Sequence, residues 1–180
     1  GHIYGTDLKL GVNFPSKAYQ KEYFMHVANT LEIPWGMSID GGDSYYSPVA
    51  EDEELLALEF GAFDDSFMHA GHELASGSGW NEMCWDGIGK EYRWVKGICG
   101  GEISYYTSND QKNFLNPAGM YGWTWEEASA KYHISYMLAS SAPGSKHATV
   151  DRFREAGIAA GYTFRVSDCR TNGLETRLVV

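Results

Sequence analysis

The sequence predicts an α+β fold. One domain over residues 1–180 would carry four or five helices on a mostly antiparallel sheet that ends in a C-terminal β-hairpin. The hairpin signal is the clearest, because residues 162–167 alternate apolar and polar side chains before Asn172-Gly173, a pair that favours tight turns. Helical and strand-like segments do not alternate regularly along the chain, which argues against a parallel sheet wound by helices.

Five segments carry helix signals. Ser16 is placed to cap a helix over residues 17–31. Thr124 and Glu127 form a capping box at the start of a helix that ends near residue 140. The other predicted helices cover residues 51–60, 64–73 and 149–156.

The predicted sheet is completed by strands ahead of the hairpin, over residues 2–14, 92–96 and 102–107. Residues 92–96 alternate aromatic or apolar side chains with basic ones, as a strand with one buried face does. The glycines between residues 97 and 101 predict the turn that joins this strand to the next.

The charge of the chain is unevenly distributed. The net charge is −10, and residues 1–79 hold 13 Asp and Glu against 3 Lys and Arg. This acidity disfavours nucleic acid and anionic membranes as partners, because phosphate binding needs clustered Lys and Arg. The more basic residues 146–180 either meet an anion or neutralise the acidic half. The sequence contains no apolar run of about 18 residues, the length that would predict a membrane span.

The three cysteines fit either an oxidising or a reducing compartment. A bridge between Cys84 and Cys99 would close a short loop and contribute about 3 kcal/mol, with Cys169 left unpaired. Three reduced, buried thiols fit the sequence equally well. No histidine neighbours Cys99 in the sequence, so thiol catalysis is not favoured.

Residues 64–73 carry the sharpest chemical pattern. On a helix, at about 100° per residue, Asp65, His69 and His72 fall on one face. Such a set could bind Zn²⁺ or Fe²⁺ with positions open for water, and Glu73 would be the general base of a metal-dependent hydrolase. The alternative is the ordinary polar face of an amphipathic helix, and the order His-x-x-His-Glu is not a common zinc-protease motif.

A second candidate cation site lies at Asp40-Gly-Gly-Asp43. Two carboxylates around two glycines could hold Ca²⁺, which prefers several oxygen ligands from a flexible loop. The spacing is not that of the twelve-residue helix–loop–helix calcium site. Glycine with aspartate is also the ordinary composition of a turn.

The segment 80–125 holds five of the six tryptophans. Exposed Trp and Tyr combine a large apolar face with a polar tip, and they dominate recognition energetics. The first functional hypothesis is therefore a module that binds carbohydrate or a protein surface, on a secreted or virion-associated protein. The alternative is that most of these rings belong to the core. The candidate ligand-binding residues are Trp80, Trp85, Asp86, Trp123 and Trp125.

A third hypothesis is a glycosidase in the same aromatic segment. It would use two carboxylates among Glu82, Asp86 and Glu102. Such pairs stand roughly 5 to 9.5 Å apart in glycoside hydrolases, a separation that only a fold can supply.

Overall fold

The computed structural model describes residues 15–70, 72, 79–139, 146–161, 168–171 and 176–179. Two 3₁₀ helices cover Ile39–Gly42 and Val49–Glu51. The α-helices are α1 (Lys17–Thr30), α2 (Glu53–Ala57), α3 (Trp80–Gly87), α4 (Lys90–Lys96), α5 (Ser108–Asn113), α6 (Trp125–Tyr132) and α7 (Val150–Ala159). The strands are β1 (Gly36–Ser38), β2 (Gly61–Phe67), β3 (Cys99–Ile103), β4 (Ile134–Leu138), β5 (Asp168–Thr171) and β6 (Thr176–Val179).

The central sheet is parallel, so the predicted α+β fold is wrong. Strands β1 to β4 pair in chain order, and all three pairings are parallel. At least one helix lies between each strand and the next, which is an α/β arrangement. Helix α4 packs against β2, and α6 packs against β4. The helices and strands therefore do alternate, contrary to the sequence-based expectation.

The strand β2 replaces the first half of a predicted helix over residues 64–73. Asp64 and Ser66 are both buried in β2, so some buried positions of this strand carry polar side chains. A strand inside a parallel sheet is covered on both faces and normally reads as a continuous apolar run. The polar residues at the centre of β2 interrupt this apolar run, so the sequence did not indicate a strand.

Residues 92–96 form a helix rather than the predicted strand, and Arg93 explains the error. The side chain of Arg93 is fully buried over the ring of Phe60, whose centroid lies 3.5 Å from its Cζ atom. Its Nη1 donates to Leu58 O (2.9 Å), and its Nη2 donates to Leu56 O (3.0 Å). The predicted alternation therefore assigned burial to the wrong side chains, since Tyr92 and Trp94 are exposed and Arg93 is buried.

A separate antiparallel pair lies near the C-terminus, where β5 and β6 bond from Asp168 opposite Val179 to Thr171 opposite Thr176. This two-stranded pair is not part of the four-stranded sheet and does not restore the predicted architecture. The predicted strand at 162–167 and the turn at 172–173 lie outside the described residues, as does the strand at 2–14.

The predicted helix starts are confirmed where a side chain caps the helix. Ser16 accepts from Tyr19 N at the start of α1. Thr124 and Glu127 form the complete capping box of α6. Thr149 caps α7. These signals survive because a cap depends on neighbouring residues alone and not on tertiary packing.

The core is an aromatic cluster between the sheet and its helices. Phe67, at the end of β2, meets the rings of Trp123, Trp125 and Tyr132 at centroid distances of 5.6 to 6.2 Å. The ring of Trp85 lies 4.7 Å from that of Tyr132. Burial of such rings supplies much of the apolar area removed from water. Within the described ranges, none of the helices combines the length and apolarity that a membrane crossing requires.

We expect Gly61→Ala to destabilise the protein by about 1–3 kcal/mol, which is the typical cost of overpacking a core. A Cβ at this position would lie 1.9 Å from the Ile98 carbonyl oxygen, which accepts the parallel-sheet hydrogen bond of Ala62 N (3.0 Å). The matched control is Gly157→Ala in α7, where a Cβ meets nothing within 4 Å. This change should be neutral or stabilising by up to ~1 kcal/mol. Urea denaturation checks both, and equal stability of the two variants would contradict the close approach.

Candidate functional site at the carboxyl edge of the sheet

The carboxyl ends of the four parallel strands meet at one edge, which is where parallel sheets place their ligand sites. We call this the carboxyl edge. Asp40 follows β1, and His69 follows β2. Tyr105 and Tyr106 follow β3, and both are exposed. The topology thus brings acidic, imidazole and phenol groups to one edge.

Beneath this edge lies Asp64, a fully buried carboxylate. Its Oδ2 accepts from Trp85 Nε1 (3.0 Å), and its Oδ1 accepts from Ser66 N (2.9 Å) and from Asn81 Nδ2 (3.2 Å). His72 Nε2 lies 3.3 Å from Oδ2, without the direction of a good hydrogen bond. We therefore treat the contact with His72 as mainly electrostatic. Helix α3 and the chain after β2 together enclose the charge.

These contacts keep Asp64 ionised. Burial by itself would raise the pKa of Asp64, but the facing His72 imidazole and the hydrogen bonds from Trp85 and Ser66 N outweigh it and lower the pKa below its ordinary value. An ionised carboxylate can only accept hydrogen bonds. Every group that faces Asp64 must therefore present a donor.

His69 is tied to Asp64 through one amide. Its Nε2 lies 2.7 Å from Asn81 Oδ1, while Asn81 Nδ2 donates to Asp64 and to Ser66 Oγ (3.1 Å). Met68, just before His69, is buried with a φ of 61°, in the left-handed region that costs free energy for a side chain of this kind. Backbone strain of this kind often accompanies functional positions.

A second polar chain runs from His72 towards the surface. His72 Nδ1 lies 3.4 Å from the hydroxyl oxygen of Tyr132, and that hydroxyl donates to Glu82. Glu82 also contacts Lys90, and its Oε1 lies 3.1 Å from Lys131 Nζ. Burial and the nearby Glu82 carboxylate raise the pKa of Tyr132, so its hydroxyl remains a donor. The chain joins α6 to the site.

The outer side of the carboxyl edge is acidic. Burial raises the pKa of the Tyr106 phenol, and the negative charges of Asp65 and Asp40 raise it further. The Tyr106 ring also meets the His69 ring edge-on, with centroids 5.3 Å apart. Tyr106 therefore stays protonated beside two carboxylates and an imidazole.

A cavity of about 290 Å³ opens at the ends of β3 and β4, and its lining includes Glu102, Tyr105 and Leu138. Gln111 borders it and donates to Ile103 O (2.6 Å), which holds α5 against the end of β3. The Tyr105 ring lies 5.4 Å from the Tyr106 ring. The cavity therefore lies beside Tyr106 and the acidic part of the edge.

The helix-borne metal set of the sequence does not form as predicted. Asp65 lies in β2 and His69 in the turn that follows, so they share no helix face with His72. His72 faces Asp64, and His69 contacts Asn81. The structure leaves Glu73 undescribed, and the residues it does describe contain no group of three His, Cys, Asp or Glu that could hold a metal. Zinc or iron binding stays a prediction.

The candidate calcium pair also has a structural role. Asp43 Oδ1 accepts from Tyr45 N, and its Oδ2 accepts from Trp80 Nε1, both at 2.9 Å. These bonds order the turn after β1 and attach it to α3. Calcium at Asp40 and Asp43 stays a prediction.

The tryptophans proposed as ligand contacts lie mostly inside. Trp85, Trp123 and Trp125 are at most 3% exposed, and Trp80 is half-buried. Asp86 is exposed, and its Oδ1 lies 2.8 Å from Lys90 Nζ. Sequence reasoning singled out neither Asn81 nor the Tyr105–Tyr106 pair as site residues. The predicted strand over residues 102–107 placed that pair inside a strand, whereas β3 ends at Ile103 and the pair follows it.

Two buried thiols are unsuited to nucleophilic chemistry. Burial raises the pKa of Cys84, and the carboxylates of Asp40, Asp43 and Asp64 raise it further. Burial likewise raises the pKa of Cys99. Both are free thiols, so the Cys84–Cys99 bridge, one of the two alternatives left open by the sequence, is absent from the described structure. A thiol that stays protonated at neutral pH is a poor nucleophile.

Comparison of the chain with protein-family models, with curated proteins and with solved structures found no match. The functional argument therefore depends on the geometry of the carboxyl edge alone.

We expect Asp64→Asn to cost about 3–5 kcal/mol at neutral pH, because the donors of Ser66, Asn81 and Trp85 lose their charged acceptor and hydrogen bonds to charged groups contribute about 1.5–3 kcal/mol each. The folded-state pKa of Asp64 lies below the ordinary 3.8, so ionised Asp64 stabilises the fold above that pH. This stabilisation is lost as the pH falls through the depressed pKa. In urea denaturations at a series of pH values, the variant should not show the loss of stability at low pH that comes from protonation of Asp64.

The control for this prediction is Glu59→Gln, at an exposed carboxylate ahead of β2. Its stability should stay within about 0.5 kcal/mol of the unaltered protein. An Asp64→Asn variant that matches this control at neutral pH would show that the buried carboxylate is not the constraint described here.

Proposed function

We propose that the carboxyl edge binds a neutral glycan, with the cavity beside Glu102 and Tyr105 as its main subsite. The observation that carries the proposal is a cavity of about 290 Å³ that is lined by Glu102 and the exposed Tyr105, with the exposed Tyr106 ring 5.4 Å from the Tyr105 ring. This volume lies near the lower end of small-molecule sites, which suits one sugar unit with its neighbours outside.

The chemistry of the lining supports this class of ligand. An aromatic ring offers a flat apolar face for the C–H groups of a sugar, and its phenol adds a polar tip. Tyr105 is 58% exposed and Tyr106 is 64% exposed, so both rings reach solvent. Glu102 can accept hydrogen bonds from hydroxyl groups, and charge-assisted bonds of this kind are the stronger ones.

The proposal keeps the carbohydrate hypothesis of the sequence but moves it to other residues. Buried rings such as Trp85 and Trp123 serve the core, and the rings of Tyr105 and Tyr106 serve the ligand. The acidity of the edge, with Asp40 and Asp65 near Tyr106, disfavours phosphate or sulfate groups on the ligand.

A second candidate function is hydrolysis of the bound glycan, for which Asp65 and Glu102 form the favoured carboxylate pair. Asp64 and Gly101 are in register on β2 and β3, and the register shifts between Asp64 and Phe67. Each candidate carboxylate directly follows one of the paired residues, so the two lie on adjacent strands at this irregularity. Adjacent strands lie about 4.8 Å apart, a spacing that is compatible with the carboxyl separations that glycosidases use. This pair replaces the combinations with Glu82 and Asp86, because Glu82 is committed to Tyr132 and to lysines.

The test is a glycan array with the purified chain, followed by calorimetric titration of the best neutral oligosaccharide. We expect Tyr105→Ala and Glu102→Gln each to weaken binding by about tenfold, or 1.4 kcal/mol. The matched control is Tyr92→Ala, since Tyr92 is partly exposed on α4 (39%), which leads into the opposite, amino end of β3. It should bind like the unaltered protein.

Two results would contradict the proposal. One is an array without any bound neutral glycan, and the other is a bound glycan whose affinity is unaffected by both edge variants. Release of reducing ends from a bound oligosaccharide, abolished by Glu102→Gln and by Asp65→Asn, would favour the second candidate. Binding without release would leave recognition as the function.

A further inference from the structure

The buried carboxylate determines the direction of the hydrogen bonds that lead to His69. Asp64 is ionised and accepts only, so the Asn81 group that faces it must be the donor amide nitrogen, Nδ2. Asn81 Nδ2 also contacts Ser66 Oγ, at 3.1 Å. The amide orientation of Asn81 thus follows from the charge and needs no further assumption.

The same argument extends one bond further. With Nδ2 directed at Asp64, Asn81 Oδ1 faces His69 Nε2 at 2.7 Å, and a carbonyl oxygen can only accept. His69 Nε2 must therefore carry a proton. In the neutral imidazole, Nδ1 is then the unprotonated nitrogen and the acceptor.

We propose that Asn81 is a positioning residue that fixes His69 as the Nε2–H tautomer and so makes His69 Nδ1 the proton acceptor of the carboxyl edge. The inference deepens the proposed function and rests on it for the ligand, whose hydroxyl group would donate to Nδ1. A histidine oriented by a side-chain carbonyl or carboxylate is the arrangement that acid–base sites use.

Three features place His69 where such a role is useful. It follows β2 at the carboxyl edge, beside the ring of Tyr106. The strained backbone at Met68 fixes the direction in which the chain leaves the strand. His69 is half-buried, in contrast with His72, which is fully buried and faces Asp64.

The test is nitrogen-15 NMR of the histidine rings in the full chain, near pH 8.5, where imidazoles are neutral. We expect His69 to show the Nε2–H tautomer alone, with a slowly exchanging Nε2 proton. His26, exposed on α1, is the control within the same molecule and should show a fast-exchanging ring proton. A His69 ring protonated on Nδ1 would overturn the proposal without any variant.

Two variants separate positioning from stability. Asn81→Ala removes the acceptor of His69, so the slow Nε2 proton should be lost. Trp85→Phe removes a different donor to Asp64, so it should destabilise the protein yet preserve the His69 signal. Loss of the signal in both variants, or its retention in Asn81→Ala, would contradict a specific role for Asn81.

Addition of the neutral oligosaccharide identified on the array separates the two proposals. A shift of the His69 Nδ1 resonance on binding, absent in Asn81→Ala, is the expected result. A glycan that binds but leaves His69 Nδ1 unchanged would overturn the role of His69 at the site. Absence of any glycan binding, with the tautomer as expected, would refute the proposed ligand while the positioning by Asn81 stands.

Discussion

The fold depends on holding one carboxylate ionised inside the protein. Asp64 lies in β2, a strand paired on both sides, and a charge removed from water is stable only when donors surround it. Those donors come from β2 itself and from α3, while His72 in the chain after β2 faces the carboxylate without donating to it. The carboxylate therefore joins the sheet to a helix and orders the carboxyl edge by the same set of bonds.

Buried aromatic residues of the segment 80–125, together with Tyr132, help to hold this charge inside the protein. Trp85 donates its indole N–H to Asp64, and the rings of Trp123 and Tyr132 enclose His72 at 5.0 and 5.7 Å. Large rings exclude water from the charge, while an indole N–H or a phenol O–H still provides a polar contact. This dual character suits Trp85, Trp123 and Tyr132 to the core, where all three are at most 1% exposed.

The sequence predicted local features of the fold better than its topology. Caps such as Thr124 and Ser16 were found because neighbouring residues alone determine them. The parallel sheet was missed for two reasons. Asp64 is a charged residue at the centre of the buried strand β2, and Arg93 is a buried cation in the helix α4, whose neighbouring side chains are exposed. At the site, the sequence identified His69 as chemically unusual but assigned it helical geometry. The link through Asn81 depends on tertiary contacts that no sequence spacing reveals.

The acidic carboxyl edge could attract an ammonium group or a neutral ligand with hydroxyl groups. These two ligands differ in the hydrogen bonds that they can make. An ammonium group would be attracted by Asp40 and Asp65, but it only donates hydrogen bonds. A hydroxyl group both donates and accepts. Because the pKa of Tyr106 is raised, its phenol remains a donor beside these carboxylates. A sugar hydroxyl can accept from the phenol and donate to a carboxylate, whereas an ammonium can only donate, so the proposed neutral glycan would use both kinds of group at the edge.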